Sequence, residues 1–275
     1  MNMQIILDLL SHSFVQRAFV VGILVSLCAA LLGVILVLKR YSLIGHGLAD
    51  VGFASLSTSL VLGFSPLYFS IPIMIVTSFV IMYVSQNKKI NGDVAIGIFS
   101  TGALSLGVLI TSLSKGFNID VYNYMFGSIL AISNADLWFS VILSVLVIIL
   151  FVVFYNRLFL ITIDEKFSIA SGINVTVYQF LISFLTALTV VVGMRMMGTL
   201  LISSLIIFPA VIARKISRSF KSLVVISAIV SVICFVVGMF SSFLLNTPVG
   251  ATIVCVNIVL LLIVAMLNLI RTKYF

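Results

Sequence analysis

Charge is the scarcest commodity in this sequence: only 8% of its 275 residues are Asp, Glu, Lys or Arg, against 63% hydrophobic residues. So few ionic groups cannot cover a water-soluble globule of this length, which excludes a freestanding aqueous domain. Cysteine is sparse as well. Cys28, Cys234 and Cys255 all fall within apolar runs, lack the close spacing of a zinc or redox motif, and read as packing residues. The sequence contains no G-x-x-x-x-G-K-[ST] loop, so the chain is not expected to bind and hydrolyse ATP by that device. It has one glutamate and two histidines, His12 and His46, far apart. The paired histidines around a glutamate that a membrane metalloprotease uses are therefore missing, and no enzyme activity of its own is expected. Before the first apolar run stand acidic Asp8 and the single base Arg17, unlike the basic head of a cleaved signal peptide.

What fills the chain instead is a series of apolar runs of about 20 residues, each able to cross a hydrocarbon core of roughly 30 Å as a helix. They do not alternate apolar and polar residues as barrel strands do, and helices then remain as the spanning structure that satisfies every backbone polar group. The expected fold is all-α: one polytopic membrane helix bundle over residues 1–275, with spans at 15–38, 43–62, 67–86, 92–114, 136–157, 176–196, 198–213, 220–243 and 248–271. The formal charge of +8 comes from short basic clusters between these runs, a pattern that speaks for topology and not for nucleic acid. Nine crossings place Lys39, Arg40, Lys88, Lys89, Arg157, Lys166, Arg214, Lys215, Arg218, Lys221, Arg271 and Lys273 on one side, and only Arg17, Lys115 and Arg195 on the other. The basic side is cytoplasmic by the positive-inside rule, which sets the N-terminus outside and the C-terminus inside.

Residues 117–135 are moderately apolar, yet the spans on either side both need their ends outside; a short re-entrant or interfacial helix resolves this, with Tyr122, Tyr124 and Phe126 at headgroup level. Gly92, Gly97, Gly102 and Gly107 read as close-packing positions between helices. Pro209 lies inside the span that follows Gly198 and Thr199, where its missing amide should kink or break the helix and make that span a candidate pathway wall.

The most informative residues are His46 and Asp50, in SLIGHGLADVGF at the start of the second span. An intramembrane carboxylate is costly unless paired or hydrated, and it raises a functional hypothesis. At i and i+4 the two side chains share one helical face, and imidazole plus carboxylate is a ligand set that zinc, manganese and ferrous iron accept. Two donors are too few alone, but a two-fold homodimer with this helix at its axis would supply four. The plainer reading is a His–Asp hydrogen bond that neutralises a polar patch, or a pair hydrated at the cytoplasmic end. Gly45, Gly47 and Gly52 flank the pair and permit close helix approach. His12, Arg195, Asp120 and Asp136 are weaker candidates, read as loop or interfacial groups. The ten methionines are scattered and read as packing, not as a soft-metal relay.

The cytoplasmic stretch at about 157–175, RLFLITIDEKFSIASGINV, carries Asp164, Glu165 and Lys166 and then Ala170-Ser171-Gly172. This suits a short amphipathic helix closed by a glycine cap, either docking on a soluble partner or serving as an ordinary loop.

Taken together, FVQRAFVVGILVSLCAALLGVILVLKRYSLIGHGLADVGFA, GDVAIGIFSTGALSLGVL, VYNYMFGSILAIS, ITIDEKFSIASGINV and MMGTLLISSLIIFPAVIARK resemble, in order and spacing, the zinc- and manganese-type metal-ion permeases of ATP-binding-cassette importers. The resemblance covers nearly the whole chain. It implies a type II importer-like, multi-pass permease of the bacterial cytoplasmic (inner) membrane, working by alternating access as a homodimer in membrane lipid. It also implies separate cytoplasmic ATP-binding subunits and an extracytoplasmic metal-binding protein as partners, transported Zn2+ or Mn2+, and no permanently bound cofactor. Asp164, Glu165, Ala170, Ser171 and Gly172 then belong to the coupling segment that meets the ATPase. Such permeases commonly carry Asp first and His four residues later, whereas here His46 precedes Asp50, which exchanges the height of the two donors. An importer for an iron chelate or corrinoid would want a wide uncharged path, which the His–Asp pair opposes, and a non-ATP-driven metal channel would have no use for the docking stretch.

Overall fold

A computed structural model describes residues 13–86, 92–114 and 134–274, and the regular structure among them is entirely helical. In chain order the helices are α1 (Ser13–Leu38), α2 (Ile44–Leu62), α3 (Pro66–Gln86), α4 (Gly92–Leu113), α5 (Asn134–Val153), α6 (Tyr155–Ile163), α7 (Glu165–Ala170), α8 (Val175–Met197), α9 (Thr199–Ile216), α10 (Phe220–Leu245) and α11 (Val249–Tyr274). Among the described residues, seven helices are long and apolar enough to cross a membrane, and an eighth crossing arises if α5 and α6 count as one bent span. The nine expected spans are thus not all met by length and composition. The helix outside that set, α2, has 19 residues but includes His46, Asp50, Ser55, Ser57, Thr58 and Ser59.

α1 lies innermost, packed against α9, α10, α5 and α8, while α4 and α11 are mostly exposed. Lipid tails are as apolar as leucine, so burial alone does not drive these helices together; close backbone approach and interhelical hydrogen bonds must contribute. Gly33 of α1 shows the first: a Cβ built there would sit 2.0 Å from the Ile206 carbonyl oxygen of α9. The second appears where Ser231 of α10 donates to the Ser26 carbonyl of α1 at 2.9 Å, and Ser78 of α3 to the Ser183 carbonyl of α8 at 2.9 Å.

Four expectations change in detail. The span expected to end at 157 stops at Val153 and turns by 69° into α6. α9 runs on through Pro209 without a break; the interruption is Gly198, where φ of 86° and ψ of 162° separate α8 from α9. That conformation suits a residue without Cβ, whereas a proline less than three turns into a helix removes one hydrogen bond and is tolerated when neighbouring helices hold both halves. Cys28 and Cys234 are buried as packing residues should be, but Cys255 is exposed on α11. Of the four α4 glycines, Gly92 and Gly107 meet neighbouring side chains, while Gly97 and Gly102 face open space. The expected re-entrant element at 117–135 lies outside the described residues up to 133, as do His12 and Asp120.

Candidate metal pathway and cytoplasmic docking helix

α2 begins immediately after a tight connector. Arg40 takes a left-handed φ of 63°, the Tyr41 amide donates to the Leu36 carbonyl at 2.8 Å, and the Ile44 amide donates to the Tyr41 carbonyl at 3.1 Å. His46 and Asp50 follow within the first two turns of α2. Their Nε2 and Oδ2 atoms are 3.8 Å apart, close enough for charge attraction but too far for the hydrogen bond that the plainer reading requires. The Asp50 side chain is only 10% exposed and accepts a hydrogen bond from the Ser100 hydroxyl of α4, while the His46 side chain is 47% exposed at the surface of the single chain. One donor is therefore anchored from a neighbouring helix and the other is presented outward.

The flanking glycines make this placement possible. A Cβ on Gly47 would lie 2.8 Å from Ile96 Cγ2 of α4, one on Gly45 would lie 2.7 Å from Ile206 Cδ1 of α9, and one on Gly52 would lie 2.2 Å from Met194 Sδ of α8. Next to the anchor, α4 exposes Gly97, Thr101 and Ser105, one turn apart along a face. The Thr101 and Ser105 hydroxyls bond back to the carbonyls of Gly97 and Thr101, at 2.8 and 2.7 Å, which spends their protons within the helix and leaves their oxygens able to accept. A cleft of about 400 Å³ between α2, α3 and α4, lined by Ser55, Thr58, Thr77 and apolar neighbours, borders the same two helices without including His46 or Asp50. Among the described residues, no group of three or more His, Cys, Asp or Glu could hold a metal ion. A single chain thus brings together one imidazole and one carboxylate, two groups where a closed four-coordinate shell needs four.

Asp164, Glu165, Ala170, Ser171 and Gly172 all fall on or beside α7. Asp164 caps its N-terminus by accepting from the Phe167 amide at 2.9 Å. Its far end closes as the sequence suggests: Gly172 has φ of 76°, its amide donates to the Ile169 carbonyl, and the Ile173 amide donates to the Ser168 carbonyl, both at 3.0 Å. Ser168 is buried, whereas Phe167 is 57% and Ile169 59% exposed. Glu165 is half exposed and joins the bundle: its two carboxylate oxygens accept from Lys39 Nζ and from Gln179 Nε2 of α8, each at 3.3 Å. Burial pulls the Lys39 ammonium below the ordinary lysine range, and the Glu165 charge works against that pull. The same burial, with the Glu165 charge added, pushes the Tyr41 phenol up. Ser100, Lys39 and Gln179 were not candidates from the sequence. Ser100 lies 50 positions from its partner in a helix of similar composition, and Lys39 looks like any other topology charge.

The chain belongs to the ABC 3 transport family, whose profile matches residues 11–268. It is 29% identical over 250 residues to a manganese import system permease protein of Streptococcus gordonii, covering 91% of this chain and 90% of that one. It is also 32% identical over 252 residues to a probable metal transport system membrane protein of Thermotoga maritima, covering 92% and 89%. Among solved structures it resembles a chain of PsaBC from Streptococcus pneumoniae in complex with Fab, with a TM-score of 0.84, 28% identity, and coverage of 96% of this chain and 95% of that one.

Proposed function

We propose that this chain is the membrane-spanning permease subunit of an ATP-binding-cassette importer for a divalent transition metal, manganese foremost and zinc within reach of the same donors. The single observation that carries this reading is the His46–Asp50 pair, one donor fixed by Ser100 and the other turned out of the protomer. Two copies related by a two-fold axis beside α2 and the open face of α4 would bring two imidazoles and two carboxylates together. A carboxylate-bearing, mixed N/O shell suits manganese better than a thiolate shell would, and the similarity to manganese permeases points the same way.

In this reading α2 is the ninth crossing, its lower apolarity the consequence of lining a hydrated path. The N-terminus is outside. Supporting this, Lys39 meets Glu165, and Asn268 of α11 donates to the Lys215 carbonyl of α9 at 3.0 Å, so the main basic connectors gather at one end. The cation arrives from an extracytoplasmic binding protein and exchanges water for imidazole nitrogen and carboxylate oxygen. It leaves when rearrangement of the two copies separates the donors, which is alternating access with a site at the dimer axis. The work comes from separate cytoplasmic ATP-binding subunits that seat α7, whose exposed Phe167 and Ile169 offer an apolar contact beside the cap at Gly172.

The deciding experiment is uptake of labelled manganese and zinc into proteoliposomes that hold the assembled complex. His46→Ala and Asp50→Ala each remove two of four donors from the paired site and should lower manganese flux by at least about 100-fold, more than the loss of a supporting residue around a metal site. Near-normal flux in both variants would remove the site.

A further inference from the structure

The coupling segment is expected to touch the ATPase, but the carboxylate of half-exposed Glu165 is also tied to the bundle. It occupies the first turn of α7, and its carboxylate joins two side chains from different parts of the bundle: Lys39 of the α1–α2 connector and Gln179 of α8. Both are withdrawn from solvent, with the Lys39 side chain 8% and Gln179 4% exposed, whereas the Glu165 side chain is 50% exposed. An isolated surface ion pair would contribute little. This one differs because one partner is a buried ammonium, and breaking a buried pair from one side leaves an uncompensated charge.

The connector leads directly to the donors. Lys39 stands five residues before Ile44, where α2 starts, and His46 and Asp50 follow within its first two turns. The left-handed Arg40 and the hydrogen bonds at Tyr41 leave the connector little slack. Tyr41 also rests against the start of α4: a Cβ on Gly92 would lie 3.1 Å from Tyr41 Cε1, and α4 carries the Ser100 that anchors Asp50. The carboxylate of α7 thus reaches, through one ion pair and one short connector, both helices that hold the candidate donors.

We infer that Glu165 and Lys39 are the transmission link of the transporter: positioning residues that carry displacement of α7 to α2 and α4 and so tie the donors' spacing to the ATPase cycle. Gln179 holds the same carboxylate to α8 and sets its direction. This inference rests on the permease reading above and names the intramolecular contact through which that machine is driven.

Mere spatial intermediacy does not prove coupling, so the test is a double-mutant cycle on a ratio. In proteoliposomes containing the chain with its ATP-binding subunits, manganese uptake and ATP hydrolysis are measured together. Lys39→Met replaces the buried ammonium with an apolar side chain of similar length. It should lower manganese taken up per ATP hydrolysed by about tenfold, while hydrolysis stays within about twofold of the unsubstituted complex. Glu165→Gln should lower the ratio comparably, the double variant should be no worse than Lys39→Met alone, and the exchanged pair Lys39→Glu with Glu165→Lys should recover at least half of the ratio. An unchanged ratio in Lys39→Met overturns the inference. So do additive losses in the double variant, or uptake and hydrolysis falling together with no recovery, which is what a purely structural contact would give. Failure of the permease reading itself looks different: the unsubstituted complex would then take up no manganese, and Asp50→Ala would change nothing.

Discussion

Asp50 and Ser100 illustrate how much of a membrane site depends on one hydroxyl. A carboxylate held in an apolar helix needs a partner, and Ser100 is the partner the structure provides; on the proposed function it holds Asp50 between ions. Ser100→Ala should leave Asp50 without that donor and lower manganese uptake by about 10-fold, the low end for a group that orients a metal ligand, while Ser100→Thr retains most of the flux. Apparent affinity for manganese in the transport assay checks this, and equal affinity in both variants would deny Ser100 any orienting role. At this scale the sequence was partly legible. The i, i+4 spacing of His46 and Asp50 fixes their shared face because helical geometry is local. What α4 brings to that face is not local, and Ser100 sits among Thr101, Ser105 and glycines that give no hint of which hydroxyl turns inward. Lys39 was hidden for the opposite reason: a lysine at the end of a span has an ordinary explanation in topology, and only burial shows that it is paired.

Among the elements, α7 was the most legible and the α5–α6 bend the least. Asp164 before a short run and Gly172 after it are start and stop signals that act within a few residues, so cap chemistry announces the helix without tertiary help. The 69° turn at Phe154 has no proline or glycine to mark it, and the apolar run of α5 passes into it without a polar break, the first polar residues, Asn156 and Arg157, coming only inside α6. In lipid, where both faces of a helix are apolar, periodicity loses the contrast that reveals buried faces in soluble proteins. The same loss explains Cys255, whose apolar neighbourhood is an exposed surface and not a core, and Pro209, whose helix continues through it between the elements around it. For α7 two outcomes are expected. Asp164→Ala should destabilise the short helix by about 1 kcal/mol, and Phe167→Ser with Ile169→Ser should remove the exposed apolar contact. Both should weaken retention of the ATP-binding subunits during affinity purification, the second more strongly, without altering the amount of the chain in the membrane. Full retention in the double serine variant would free α7 from the docking role.

For the molecule as a whole, the bundle has an asymmetric finish. α1, α8 and α9 are largely enclosed, whereas α4 turns Gly97, Thr101, Gly102 and Ser105 outward on the flank that borders His46. Small residues and back-bonded hydroxyls on an exposed membrane helix suit contact with a second copy of the chain across a narrow wet gap. A cysteine at Gly97 on a background with Cys28, Cys234 and Cys255 replaced should therefore form a disulfide-linked or bis-maleimide-linked dimer in membranes, while a cysteine on the far side, in place of Val259 of α11, should not. The opposite pattern would move the two-fold axis away from α2.

One consequence of the proposed shared site at His46 and Asp50 reaches beyond the purified protein. On that proposal each chain supplies two donors and borrows two, so a defective copy should poison its sound sibling. With equal co-expression of intact and Asp50→Asn chains and random pairing, only about a quarter of the assemblies would retain a complete cage. Uptake in cells carrying both alleles should accordingly fall to about a quarter of the intact level, below the half that independent copies would give.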